Sequence, residues 1–223
     1  MKTRQTPQTQ AIRQADVTLI MGGRRRGKST FIRQLAEKVA QTRPVLIVET
    51  NREHKFFDLP MLNLKNKDEI AQIANGIYRA NAFTYEGYRE VVLRVESKYR
   101  AADPKLKQLP TDVYTYTLDN LRNWVIFFDD CKNYTDDKIS DWCRDLCRNA
   151  SQTMNDLFFT GHGISDIPSG LFRFSTKFIM FATEDNPMSR RGVSGFEELL
   201  KLRNQVNEKA RTNHYHYQVY SKS

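Results

Sequence analysis

The sequence predicts an α/β fold, in which a mostly parallel central sheet is flanked by helices. Short apolar runs alternate with stretches of helical spacing, and such runs are typical of parallel strands buried on both faces. The first run is closed by a glycine-rich segment, and a helical stretch follows directly. The longest apolar runs, such as Trp124 to Phe128, span five residues, whereas a membrane helix needs about 20. We therefore expect no membrane span.

The elements follow one another in chain order. Strands are expected at Val17–Met21, Val45–Glu49, Val125–Asp129, Leu157–Thr160 and Lys177–Ala182. Helices are expected over Lys28–Gln41, Asp136–Ala150 and Gly195–Arg211, and the alternating run at 214–220 (HYHYQVY) is typical of an edge strand. The stretch 54–122 exceeds an ordinary crossover, so we interpret it as an insertion with helical patterns at 67–80 and 84–101. The predicted organisation is a single domain over residues 1–223 with a polar basic arm at 1–14.

Composition is that of an ordinary globular protein, with 39% hydrophobic and 27% charged residues, which excludes collagen-like and disordered chains. The first residues are polar and carry no apolar segment of a secretory signal, so we expect a cytoplasmic protein. The three cysteines, Cys131, Cys143 and Cys147, lack the paired spacing of a zinc site. We expect them to be reduced and packed.

The net charge of +9 is distributed unevenly along the chain. Residues 1–43 hold ten Lys and Arg against two acidic residues, a net +8, so the remaining residues are nearly neutral. A basic surface favours a polyanion such as nucleic acid. The alternative explanation is that the basic surface only keeps the protein soluble.

The strongest local motif is Gly22-Gly23-Arg24-Arg25-Arg26-Gly27-Lys28-Ser29, which fits G-x-x-x-x-G-K-[ST] at every fixed position. In such a loop the backbone N–H groups form an anion nest, Lys28 reaches the β- and γ-phosphates, and Ser29 offers its hydroxyl to Mg²⁺. The sequence leaves open whether the three arginines are solvated, bind the nucleotide, or face a polyanion or a neighbouring subunit. The expected nucleotide-binding residues are Gly22, Gly23, Arg24, Arg25, Arg26, Gly27, Lys28, Ser29 and Thr30.

An acidic pair, Asp129 and Asp130, closes the apolar run WVIFF. The carboxyl ends of parallel strands meet at the edge of the sheet where the phosphate loop also lies. We expect Asp129 to hold hydrated Mg²⁺ and Asp130 to polarise the attacking water, with another acid such as Glu49 left open as the group that activates water.

The strand after the acidic pair ends near polar side chains that could contact the γ-phosphate or the water and so respond to hydrolysis. His162 and Thr160 are the candidates, while His54, His214 and His216 are expected to be solvated. The helix before this strand carries Arg144 and Arg148, four residues apart on one face. Ring ATPases complete their sites with an arginine from a neighbour. Arg148 is our first choice for this role and Arg144 our second, and a solvated helix face is the alternative.

The order of these motifs resembles the FtsK–HerA superfamily of ring-forming, DNA-pumping ATPases. The matching segments are GGRRRGKS, VLIVET, WVIFFDD, LFFTGHGISDIPSGL and KFIMFATED. The resemblance covers about residues 16–185 apart from 54–122. Two positions depart from the family pattern: Asp130 stands where glutamate is usual, and His162 replaces the sensor glutamine. Because 223 residues leave no room for the extra domains of larger members, the chain looks most like the small genome-packaging ATPases of tailless double-stranded DNA viruses.

The resemblance implies a P-loop NTPase core of the ASCE/RecA-like type, with ATP and Mg²⁺ as cofactors. It further implies a homo-oligomeric ring, hexameric or similar, with composite sites that couple ATP hydrolysis to DNA translocation. It also implies double-stranded DNA and capsid vertex proteins as partners, in the host cytoplasm at the virion vertex. The residues themselves leave alternatives: an ATP-binding switch or an assembly or secretion ATPase of the same superfamily, and a P-loop small-molecule kinase. Candidate pore-lining basic residues are Lys65, Lys67, Arg94, Lys98, Lys105, Lys107, Lys201, Arg203, Lys209 and Arg211.

Overall fold

The computed structural model describes residues 15–49, 56, 58–60, 72–73, 75–81, 121–133, 139, 141–185, 193 and 195–222. A seven-stranded sheet forms its centre, in the order β3-β2-β4-β5-β1-β6-β7. The first six strands are parallel and β7 runs antiparallel to β6 at one edge. This is the predicted α/β class. The strands are β1 (Val17–Met21), β2 (Val45–Glu49), β3 (Ile77–Asn81), β4 (Val125–Phe128), β5 (Asp156–Gly161), β6 (Lys177–Phe181) and β7 (Tyr217–Ser221).

Helices cover both faces of the sheet. They are α1 (Lys28–Val39), α2 (Asp141–Thr153), the four-residue α3 (Leu171–Phe174) and α4 (Phe196–Lys209), with a 3₁₀ turn at Cys131–Asn133. One core cluster takes Ile32 and Ala36 from α1. The other takes buried residues from α2, α3 and α4. None of the described helices is long and apolar enough to cross a bilayer.

Strands covered on both faces explain the continuous apolar runs of the sequence. Along β4, Val125 and Phe127 belong to the α1 core, whereas Ile126 and Phe128 belong to the opposite core. Burying both faces removes the polar positions that mark a half-exposed strand. The Phe128 ring stacks on Phe159 across the β4–β5 pair at 4.8 Å between centroids, and Phe128 is the register partner of Phe159. The carboxyl ends of β4 and β5 are therefore aligned.

One predicted element is wrong. Residues 77–80 were expected at the end of a helical pattern, but Ile77–Asn81 is strand β3, paired in parallel with β2 over Val45–Glu49. Pairing there gives the backbone of β2 a partner on its second side, and this long-range gain outweighs a local helical spacing. The stretch interpreted as an insertion thus contributes a strand to the central sheet. The helical pattern at 84–101 and the arm at 1–14 lie outside the described residues.

The other elements differ from expectation only at their ends. The helix after the phosphate loop ends at Val39, two residues early, and α2 continues to Thr153, beyond the expected end. Its expected start at Asp136 lies outside the described residues. The C-terminal edge strand is confirmed as β7. The three cysteines are free and buried, as expected.

The amino ends of the strands are held together by one arginine. Arg43 Nη1 donates to Asp156 Oδ2 at 2.6 Å, and the two side chains are only 12% and 18% exposed. Three more of its N–H groups donate to the carbonyls of Asn123, Trp124 and Met154. Arg43 therefore contributes to the fold, and its charge is not available to a polyanion.

Candidate functional site

The phosphate loop begins at the carboxyl end of β1, between the two neighbouring strands. Gly22 N donates to Gly161 O of β5 at 3.2 Å, and Gly23 N donates to Ala182 O after β6 at 2.8 Å. A Cβ atom on Gly22 would collide with the Cβ of Phe181. Gly27 has a φ of 94° and precedes α1, and this left-handed angle favours glycine. Both glycines are thus required by the geometry of the loop.

Lys28 folds back over its own loop. Its Nζ donates to Gly22 O and, at 3.0 Å, to Gly23 O. Ser29 and Thr30 follow in the first turn of α1, which has no side-chain cap. The first N–H groups of a helix lack acceptors within the helix, so this end suits an anion. The loop therefore presents an ammonium group and a helix N-terminus at one place, which fits the phosphate groups of a nucleotide.

The three arginines of the loop have different surroundings. Arg24 and Arg25 are exposed, and Arg25 has a φ of 58°. Arg26 Nη1 donates to Nδ1 of His214 at 2.8 Å, which leaves the Nε2–H of that ring directed at Arg25 O, 3.2 Å away. His214 is exposed, as expected, and its imidazole also contacts the loop on two sides. His216 is half-buried, and His54 lies outside the described residues.

The acidic pair stands next to the end of β5. Asp129 is only 7% exposed. The hydroxyl of Thr160 accepts a hydrogen bond from Asp130 N at 2.8 Å and donates to Asp129 Oδ1 at 2.9 Å. Since that hydroxyl has one proton, the N–H of Asp130 directs it toward the carboxylate of Asp129. A single buried hydroxyl thus orients both acidic residues.

His162 lies beside the second acid. Its Nε2 is 3.6 Å from Asp130 Oδ2, and Asp130 has a φ of 50°, in the left-handed region that aspartate tolerates. No described residue supplies a hydrogen-bond partner for the buried Nδ1 of His162. The structure therefore brings Thr160 and His162 to the same acidic pair: Thr160 contacts the Asp129 carboxylate and the backbone N–H of Asp130, and His162 lies beside the Asp130 carboxylate.

The loop that carries His162 is held by residues that the sequence analysis missed. Thr183 Oγ1 donates to His162 O at 3.0 Å. Asp185 accepts hydrogen bonds from the N–H and the hydroxyl of Ser165, and a Cβ on Gly163 would lie 2.5 Å from Asp185. These residues lie about 20 positions beyond the loop along the chain, and no local pattern connects the two segments. Only the pairing of β1 with both β5 and β6 brings them together.

The predicted metal ligands have suitable chemistry for Mg²⁺. Ser29 offers a hydroxyl and Asp129 a carboxylate, both hard oxygen donors. Among the described residues there is no group of three or more His, Cys, Asp or Glu that could hold a metal ion by itself. Mg²⁺ is usually held by one or two protein oxygens together with substrate phosphates and water. The donor set therefore fits Mg²⁺ bound with a nucleotide.

The two helix arginines lie one turn apart on α2, and Arg148 is the one nearer the amino edge of the sheet. Arg148 follows the start of α2 by seven residues, which is about 10 Å along the axis. The helix ends at the amino edge of the sheet, where Asn123 N donates to Thr153 O. The side chain of Arg148 is 61% exposed, with Asp145 Oδ1 at 3.8 Å. Arg144 lies one turn nearer the phosphate edge and is half-buried.

Comparison with solved structures identifies the fold. The genome packaging NTPase B204 from Sulfolobus turreted icosahedral virus 2, in complex with AMP, aligns with a TM-score of 0.57 at 15% identity, over 93% of this chain and 92% of that chain. The chain has the fold of the B204 packaging NTPases. The B204 DNA-packaging ATPase from Sulfolobus Turreted Icosahedral Virus aligns with a TM-score of 0.58 at 16% identity, over 92% of both chains. No family model and no curated protein matches the sequence.

The likeness to B204 confirms the P-loop NTPase fold that the motifs implied, across nearly the whole chain. Of the candidate pore-lining residues, Lys201, Lys209 and Arg211 are exposed on or just after α4. Arg203 instead donates to Asp185 O at 2.6 Å, so it supports the loop described above. The candidates between 65 and 107, and the side chain of Glu49, lie outside the described residues.

Proposed function

We propose that the chain is an ATP hydrolase that drives double-stranded DNA into a viral capsid, acting as a ring with composite active sites. The observation that carries this proposal is the Thr160 hydroxyl, which joins Asp129 and Asp130 at the strand end beside the loop of Lys28. A loop that binds phosphates and an adjacent oriented acidic pair are what ATP hydrolysis requires. The packaging activity named for the B204 proteins, which share the fold, supports the choice of DNA.

The loop residues bind the phosphates. Lys28 exchanges its bonds to the Gly22 and Gly23 carbonyls for oxygens of the β- and γ-phosphates, and the N–H groups at the start of α1 contribute further donors. Ser29 and Asp129 would hold Mg²⁺, which when bound neutralises phosphate charge. Once the nucleotide is bound, these groups stabilise the charge that develops on the γ-phosphate without further reorganisation.

The second acid orients the attacking water. Asp130 is fixed through its N–H by Thr160 and lies beside His162. Its carboxylate accepts a hydrogen bond from a water whose oxygen attacks the γ-phosphorus, in line with the departing bridging oxygen of ADP. His162 then occupies the position from which a side chain could detect the loss of the γ-phosphate.

The position of Arg148 suits a role in a neighbouring active site. It is exposed and lies toward the amino edge of the sheet. A guanidinium supplied by another subunit neutralises transition-state charge and makes hydrolysis dependent on assembly. Exposed Arg24 and Arg25, together with the net +7 that residues 1–43 carry when Arg43 is left out, support contact with a polyanion.

The test is steady-state ATP hydrolysis against protein concentration, with and without double-stranded DNA at moderate salt. We expect the rate per subunit to rise with concentration and to rise again with DNA, and Lys28→Ala to abolish turnover while leaving the folded structure intact. A flat rate that ignores DNA would contradict the motor and favour a switch or a kinase. Wild-type turnover in Lys28→Ala would show that the site is misassigned.

A mixing experiment tests the composite site. Arg148→Ala alone should lose activity, because no subunit then supplies the guanidinium. Adding Lys28→Ala subunits, which cannot hydrolyse ATP but keep Arg148, should restore part of the activity. The activity of Arg144→Ala, which removes the arginine one helical turn away, is compared with that of Arg148→Ala. Absence of rescue at every mixing ratio would rule out the role of Arg148 between subunits.

A further inference from the structure

We propose that Tyr215 forms the base-binding wall of the nucleotide site, stacking on the nucleobase of a nucleotide whose phosphates lie in the Lys28 loop. The inference rests on the proposed function, since it needs a nucleotide in that loop. It adds a subsite from a segment more than 180 residues away along the chain, between α4 and β7, for which the motifs gave no indication.

The order of the strands decides on which side of the loop the base lies. The loop leaves β1, which stands between β5 and β6. Asp129, Asp130 and Thr160 lie on the β5 side, so the γ-phosphate is directed there. Since the base is at the opposite end of a nucleotide from the γ-phosphate, it lies on the β6 and β7 side of the loop.

The turn before β7 lies against the loop on that side. A Cβ atom on Gly27 would lie only 3.2 Å from Tyr215 Cδ1, so the tyrosine ring packs on the last glycine before Lys28. His214 contacts Arg25 and Arg26 of the same loop. Tyr217 anchors the turn, since its ring lies 5.0 Å from Phe31 and 5.1 Å from Phe181. The turn is thus fixed to the loop at successive positions.

Tyr215 nevertheless remains open to solvent. It is 64% exposed, the largest fraction among the exposed large hydrophobic side chains that the structure describes. The imidazole of His214 lies nearly perpendicular to the tyrosine ring, at 88°, so it contacts the ring without stacking on it. An exposed ring that is held in place loses little entropy on binding a flat ligand. Such a ring is suited to stack on a heterocyclic base.

The experiment compares two probes that share the phosphates and differ in the base. The affinities of ATP and of inorganic tripolyphosphate, each with Mg²⁺, are measured by calorimetry for the wild type, Tyr215→Ala and Tyr215→Phe. Because one stacked base contributes a large share of binding energy, Tyr215→Ala should weaken ATP about tenfold and leave tripolyphosphate unchanged. Tyr215→Phe keeps the ring and should bind both probes as the wild type does.

Val219→Ala is the matched control, because Val219 is also an exposed apolar residue of this edge, at 56% exposure, and lies in β7 beyond the loop. It should bind both probes normally. If Tyr215→Ala weakens tripolyphosphate as much as ATP, the tyrosine supports the loop and not the base, and the inference is overturned. It is equally overturned if the wild type binds tripolyphosphate as tightly as ATP, an outcome that leaves the phosphate site intact. Failure of the wild type to bind either probe would instead reject the proposed function, and this inference with it.

Discussion

Replacing Thr160 with valine removes the hydroxyl that joins the two acids and keeps the shape of the side chain. The buried Thr160 Oγ1 donates to Asp129 Oδ1 at 2.9 Å and accepts from Asp130 N at 2.8 Å. Valine removes a hydrogen bond to a charged carboxylate, which contributes about 1.5 to 3 kcal/mol, and one from a backbone N–H, which contributes about 0.5 to 1.5 kcal/mol. We therefore expect a loss of about 3 kcal/mol in the free energy of unfolding, or about 6 to 12 °C in Tm for a domain of this size.

The same substitution should also slow catalysis. Without the hydroxyl, Asp129 and Asp130 lose the contact that orients them together, and misplacement of a catalytic group by about 1 Å can cost on the order of 100-fold in rate. Turnover is measured at saturating ATP, at a temperature at which the variant is folded. Thr160→Ser is the control, because it keeps the hydroxyl and removes only a methyl group, and it should retain most of the activity. Wild-type Tm and turnover in Thr160→Val would refute the reasoning.

Two further predictions concern the fold. Arg43→Met should lower the free energy of unfolding by about 3 kcal/mol, because it removes the charge partner of the largely buried Asp156. Urea denaturation should show the same loss at high salt. Arg33→Met breaks more exposed ion pairs and should cost under about 1 kcal/mol, so equal losses for the two variants would contradict this account. Burial raises the pKa of the Cys131 and Cys143 thiols above the ordinary 9.0, so both should resist a thiol reagent at pH 8 until urea unfolds the chain. The free energy of unfolding should fall as the pH rises above about 9, because only the unfolded thiols then ionise. Rapid labelling of the native protein would contradict this prediction, since it would show that these thiols are accessible.

Local sequence patterns were sufficient to predict the strands that form continuous apolar runs. Val17–Met21 and Val45–Glu49 were predicted with their observed bounds, because burial on both faces leaves a run with no polar positions. The phosphate loop was equally readable, since its glycines and Lys28 have fixed spacing. The ends of α1 and α2 were less well predicted, because helix termini depend on contacts with the rest of the fold.

β3 shows where local patterns fail. Its sequence, Ile77–Asn81, mixes apolar and polar residues and also fits a helical spacing, so nothing local distinguishes the two. The parallel partner, β2, lies about 30 residues earlier. The hydrogen bonds that decide the conformation are therefore made with a distant segment, and only the assembled sheet reveals them.

The sequence by itself supplied the candidate groups for the proposed chemistry: Lys28 in its loop, Asp129 and Asp130 after a strand, and a polar residue after the next strand. Tertiary structure alone decided how they meet. The alignment of β4 with β5 gives the Thr160 hydroxyl to both acids, and the antiparallel β7 brings Tyr215 against Gly27. The physical reason is that strand order and register are set by the burial of both sheet faces, which sums over many residues distant in the chain and leaves no local pattern.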